Sequence, residues 1–142
     1  MHGRLQVLLA HPGGPFWARK DAGVWSIPKG EYGPGEDALT AAKREFREEL
    51  GLVPQGECQP LGEIRQKSGK IVTAFALAGD LDVGAIRPGT FEMEWPPKSG
   101  HKQSFPEVDR VAWYDLDEAR RKILPAQSEL IDRLLAVLPA KP

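Results

Sequence analysis

The chain has 142 residues, 41 % hydrophobic and 27 % charged, with a formal net charge of −1; this suits one soluble globular domain over residues 1–142 and gives no global basic field for nucleic acid or an anionic membrane. The single cysteine, Cys58, excludes an intrachain disulfide and a multi-cysteine zinc site and fits a reducing cytoplasm. No stretch reaches the ~18 apolar residues of a membrane span, and the start, MHGRLQVLLAHPGG, is too short and glycine-rich for a signal peptide.

In chain order, residues 5–10 (LQVLLA) read as a buried strand. His11-Pro12-Gly13-Gly14 reads as a turn into a paired strand over 15–19, a hairpin. Residues 25–27 are a short extended piece stopped by Pro28, and 29–35 (KGEYGPG) are loop. Residues 36–50 form the first helix, ended by Gly51 as a C′ glycine. Residues 58–67 and 71–77 are strands joined at Ser68-Gly69. Residues 79–100 are irregular and rich in proline and glycine, with a strand near 90–95. Residues 111–114 (VAWY) are a strand and 116–124 a short helix. Residues 125–138 are a second major helix with Leu130, Leu134, Val137 and Leu138 as its apolar stripe. Strands, helix, strands, helix argue an α/β chain with a mixed sheet between helices.

The first helix concentrates acid. At about 100° per residue, Glu45, Glu48 and Glu49 share one sector. Leu39, Ala42, Phe46 and Leu50 form the neighbouring apolar stripe that faces the core. Like charges three and four residues apart repel, so something positive should offset them. Oxygen-rich clusters suit hard cations, Mg²⁺ above all. The plainer reading is a solvated helix with i,i+4 pairs such as Arg44 with Glu48.

The surroundings of the cluster favour the cation. Gly30 is followed after five residues by Glu36 and, after seven more, by Arg44-Glu45. Apolar Phe46, then Arg47, Glu48-Glu49, Leu50, Gly51 and apolar Leu52 complete the run. From Gly30 to Leu52 this resembles the Nudix box at every fixed position, and the order of elements resembles the family's α/β/α sandwich with a mixed central sheet.

The resemblance implies a Mg²⁺-dependent hydrolase, with Mn²⁺ as a substitute, that cleaves a pyrophosphate bond in a nucleoside diphosphate linked to a group X. Glu45, Glu48 and Glu49 would then be metal ligands, joined by the backbone carbonyl near Gly30. Glu36 and Arg44 would be a structural pair orienting Glu45, and Gly51 a structural glycine of the box. Many relatives take a catalytic base from a loop outside the box. Glu107, in FPEVDR, is the candidate here, with Glu92 and Glu94 competing.

Lys29, before the first box glycine, with Trp25 upstream, resembles the dinucleoside polyphosphate and diphosphoinositol polyphosphate branches, and Lys29 suits a phosphate chain as a point charge. The tyrosine usual beyond the box in the former branch has no match in residues 65–70 (RQKSGK). The stretch 94–110 resembles a bacterial group of predicted nucleoside triphosphate pyrophosphohydrolases. Lys98, His101 and Lys102, in a proline-glycine loop, read as a second anion site or as solvated lysines. Trp17, Trp25 and Trp95 are candidates to stack a base or to fill the core. His2 and His11 carry no partner motif and read as incidental. Family domains usually have a strand before the equivalent of residues 5–10, and an uncovered edge invites a homodimer. The expected substrate is thus a dinucleoside polyphosphate or nucleoside triphosphate. The alternatives are a non-catalytic nucleotide-binding module and an RNA 5′-pyrophosphohydrolase, which the lack of positive charge disfavours.

Overall fold

The apolar run at the start of the chain is buried on both faces, which is why it does not alternate with polar residues. A computed structural model describes residues 5–27, 37–65, 69, 71–79 and 82–137. In it, strand β1 (Gln6–Pro12) pairs antiparallel with β6 (Val108–Asp115), with Leu9 opposite Ala112 and His11 opposite Arg110. Successive side chains point to opposite faces. Val7 and Leu9 join Trp25, Ala119, Ile123 and Ile131 in one core cluster. Leu8 and Ala10 join Leu50, Val108, Val111 and Phe46 in a second.

Residues 15–19 are not the second strand of a hairpin. They turn, with the Trp17 amide donating to the Gly14 carbonyl and the Lys20 amide to that of Trp17. The edges of β1 are used elsewhere: β6 takes one, and Ala10 exchanges two backbone hydrogen bonds with Ser26.

Helix α1 (Ala38–Leu50) starts where the Asp37 carboxylate accepts the Thr40 amide, a side-chain N-cap. It ends at Gly51, whose φ of 71° is left-handed. Strands β2 (Cys58–Arg65) and β3 (Ile71–Leu77) form an antiparallel pair with an irregularity between Pro60 and Gly62. Ile64 and Ala74 of this pair pack on Leu130 of α3 (Glu129–Val137), and Arg133 of α3 donates to the Leu61 and Glu63 carbonyls. Helix α2 (Leu116–Lys122) follows β6 directly, capped by Asp115.

Further expected spans change. The strand 111–114 is longer because Val108 is buried at its start. The helix 125–138 is a 3₁₀ turn, Pro125–Gln127, followed by α3. The loop 95–101 closes a hairpin of β4 (Thr90–Glu94) and β5 (Lys102–Pro106), in which Phe91 faces Phe105 and Glu94 faces Lys102. Lys102, Gln103 and Ser104 of β5 are exposed, so that strand carries little apolar signal.

The three ladders of the described residues are antiparallel, and a parallel bridge, Trp25 to Ile123, links β1's neighbourhood to the end of α2. The chain has the α/β class expected of it. No helix among the described residues is long and apolar enough to cross a membrane.

Candidate active site

Helix α1 is fixed by its buried side. Ala41 and Leu50 are buried, and Phe46 packs on the cluster of Ala10, Val108 and Val111. This sets Glu45, Glu48 and Glu49 along the border of the core. The Glu45 side chain keeps 15 % of its surface exposed and that of Glu48 keeps 54 %, so the cluster runs from the protein edge toward solvent. Arg44 Nη1 donates to Glu45 Oε1 at 2.7 Å and to Glu48 Oε2 at 3.3 Å. The i,i+4 pair read from the sequence is therefore present. The shorter bond goes to Glu45.

Glu107 lies at the junction of β5 and β6. It lines a cavity of about 200 Å³ with Glu49, Ala10, Pro12, Ser26 and Val108. Partial burial pushes its carboxyl above the ordinary glutamate range, and the charges of Glu45 and Glu48 push it further. Thus a residue more than fifty positions along the chain feels the acidic helix. Glu92 is exposed on β4. The Glu94 carboxylate accepts the Lys98 and Gly100 amides and closes the hairpin tip. Of the three glutamates considered as base, Glu107 is the one brought to the helix.

Backbone hydrogen bonds hold it there. The Gly89 amide donates to the Glu48 carbonyl at 3.0 Å, the Glu107 amide to the Gly89 carbonyl at 2.8 Å, and the Gly13 amide to the Glu107 carbonyl at 3.0 Å. A Cβ on Gly89 would stand 3.0 Å from the Glu48 carbonyl oxygen, and one on Gly13 would stand 1.9 Å from that of Pro106. Neither glycine stood out in the sequence as part of a site; the only signal was that each interrupts a strand-like or proline-rich stretch.

The carboxylates are hard oxygen donors of the type Mg²⁺ and Mn²⁺ take. Their mutual repulsion, visible at Glu107, is what a cation would relieve. The fit is one of donor chemistry: among the described residues no three carboxylate, histidine or cysteine groups already form a metal cage. Lys29, Gly30 and Glu36 lie outside the described residues, as does the start of the chain on which the homodimer expectation rests.

Other expectations change. Trp25 is core, not a ligand surface: it is 2 % exposed, with its ring edge-on to His11 and Tyr114 and its indole N–H donating to Asp21. Lys98 and Lys102 are exposed at the far end of the β4–β5 hairpin. Four residues of strand, about 13 Å at ~3.3 Å each, separate that end from the Glu107 end, so the second anion site read from the sequence lies apart from the carboxylates. His11 is not incidental. It is fully buried, with Nδ1 2.9 Å from Asp109 Oδ1 and Nε2 2.7 Å from the Lys20 carbonyl, which locks the end of β1 to β6 and to the following turn.

Several known proteins are similar to this chain. An RNA pyrophosphohydrolase of Legionella pneumophila (strain Corby) is 40 % identical over 52 residues, 36 % of this chain and 29 % of that protein. The match thus spans under a third of the length of such curated relatives. The solution structure of the E. coli ORF135 protein superposes with a TM-score of 0.58 at 26 % identity, covering 96 % of this chain and 84 % of that one. A C. elegans Ap4A hydrolase in a binary complex gives 0.62 at 20 % identity, over 94 % of this chain and 87 % of that one. The NUDIX domain of Shewanella oneidensis NrtR, complexed with ADP ribose, gives 0.65 at 19 % identity, over 98 % and 81 %. These last two likenesses show the fold alone. A family model, NUDIX domain, matches residues 1–134, and on that match the chain belongs to the NUDIX family.

Proposed function

We propose that this chain hydrolyses a phosphoanhydride bond in a nucleoside diphosphate linked to a further group X, with dinucleoside polyphosphates and nucleoside triphosphates as the first substrate classes. The observation that carries the reading is the convergence of Glu107 with the acidic face of α1 across one cavity. Glu45, Glu48 and Glu49 would hold divalent cation, Mg²⁺ with Mn²⁺ as substitute, joined by the carbonyl near Gly30. When bound, such a cation supplies positive charge to phosphate oxygens and favours ionisation of water. Arg44 holds Glu45 in position. Glu107 is the general base: its raised proton affinity moves it toward the working pH, where a base is most effective. Lys29 is assigned to the phosphate chain as a point charge.

The Ap4A hydrolase and ADP-ribose-bound domain of the same fold support a nucleotide ligand. The Legionella relative supports a second reading, removal of pyrophosphate from RNA 5′ ends. The net charge of −1 weighs against it. Both are tested by chromatographic product analysis with Mg²⁺ on diadenosine polyphosphates, nucleoside triphosphates, ADP-ribose, NADH and 5′-triphosphate RNA, with Glu49→Gln alongside. Hydrolysis of one class that the variant abolishes is the expected result. No hydrolysis of any member, with Mg²⁺ or Mn²⁺, would overturn the reading in favour of a nucleotide-binding module.

A further inference from the structure

A second cavity, about 210 Å³, opens beside the first, between the turn at 13–17 and the side chains of Phe91 and Met93 on β4. Its walls are glycine, proline, three aromatic side chains and a thioether, with no charged group among them. Two of those rings are open to solvent, Phe16 at 61 % and Trp17 at 39 %. Lys20 Nζ stands 5.2 Å from the Trp17 ring centroid and covers it. Phe16 meets Trp95 edge-on at 5.9 Å, which supports the ring from the hairpin side. Gly14, at φ +95°, lets the turn lie on β4: a Cβ there would stand 3.0 Å from the Phe91 ring. The cleft is therefore built, with a glycine floor and aromatic walls.

It also neighbours the carboxylate cavity through consecutive residues of the chain. Pro12 lines one and Gly13 the other, and Gly13 is bonded to Glu107. Each cavity alone is smaller than the ~300–1,000 Å³ that holds a drug-sized ligand, so a ligand of that size would have to span both. One half is acidic and suits cation-bound phosphates. The other is apolar, flat-walled and uncharged, and so rejects phosphate.

We infer that the cleft between Phe16 and Phe91 holds the nucleobase of a nucleotide whose phosphates lie at Glu49 and Glu107. The inference rests on the nucleotide reading above for what occupies the first cavity. Stacking on Phe16 is the main contact, and because every base has a π-face this recognition is tolerant of base identity. Larger purines gain more ring area than pyrimidines, and selectivity among substrates falls to the phosphate side.

The chain's methionines are Met1 and Met93, so a ¹³C-methyl methionine label reports on the cleft with one assigned resonance. AMP, which has no pyrophosphate to cleave, should shift the Met93 methyl saturably through the ring current of its base. Inorganic tripolyphosphate should not. Phe16→Ala should weaken AMP binding about tenfold, within the range stacking supports, and Phe16→Tyr should restore it; Phe16 is exposed, so both variants keep the fold. An unmoved Met93 methyl at saturating AMP overturns the inference. So does an equal shift with tripolyphosphate, or unchanged affinity in Phe16→Ala. AMP bound at Met93 with no nucleotide hydrolysed would sink the hydrolase reading and leave this one. Nucleotide hydrolysis with a silent Met93 would do the reverse.

Discussion

Glu107 is the residue on which chemistry and stability meet. If it is the general base proposed above, its replacement should lower turnover by about 10²–10⁴ while leaving the acidic helix intact. Glu107→Gln is therefore expected to lose kcat with little change in KM, measured in steady state at saturating Mg²⁺. A kcat near wild type would remove it from the mechanism. The same group predicts a pH dependence of the metal-free fold. Burial first, then Glu45 and Glu48, raise its carboxyl above the ordinary glutamate value. Well below that ordinary value the group is neutral in both folded and unfolded chains and makes no difference. As pH rises through the raised folded value, the native state gains a charge that the unfolded state carries more easily, and stability falls. In EDTA, Glu107→Gln should therefore be more stable than wild type at pH 7 and equal to it near pH 3, by urea denaturation. A variant less stable at pH 7 would show that the carboxylate is held by partners rather than opposed by neighbours.

At the scale of elements, the site depends on a short segment that carries no catalytic side chain. Residues 86–89 run along the end of α1: the Arg87 amide donates to the Leu50 carbonyl, and Gly89 joins Glu48 to Glu107. Gly51 makes room for this, since a Cβ there would stand 2.2 Å from the Arg87 carbonyl oxygen. Gly89→Val should push the segment off Glu48 and carry Glu107 with it. The expected outcome is a fall in kcat of at least about tenfold, the scale of a small misplacement of a catalytic group, with Mn²⁺ affinity by calorimetry unchanged. Loss of both together would mean that the segment supports the acidic helix itself. What the sequence revealed follows the same division. The acidic helix and its stop at Gly51 were legible because their spacing is local and helical. The strand Ile71–Leu77 was legible as a continuous β-rich run. The partner of β1 was not, because pairing with β6 is set by burial on two faces rather than by the next apolar stretch. β5 was missed because its exposed residues leave no alternation. His11 gained its role only from Asp109 and the Lys20 carbonyl. Trp25, which the sequence leaves open between stacking a base and filling the core, is enclosed by residues from β1, β6 and α2.

Across the whole molecule, charge is nearly balanced, yet carboxylates from α1 and from the β5–β6 junction meet in one region. That local repulsion opposes folding, so binding of the proposed cation there should appear as stability. At a cation concentration ten times its Kd, linkage gives about 1.4 kcal/mol. For a chain of this size that is roughly 3–6 °C in Tm. Sodium at matched ionic strength screens exposed charges but, with half the charge, holds carboxylates far more weakly, so it should give much less. The double variant Glu48→Gln, Glu49→Gln should start from a higher metal-free Tm, because the repulsion is reduced, and should lose most of the Mg²⁺ response. Scanning calorimetry of both proteins in EDTA, in NaCl and in MgCl₂ reads all of these. An equal rise with NaCl and MgCl₂ would reduce the effect to screening. A full Mg²⁺ response in the double variant would move the cation away from α1, and with it the reason for so much acid on one short helix.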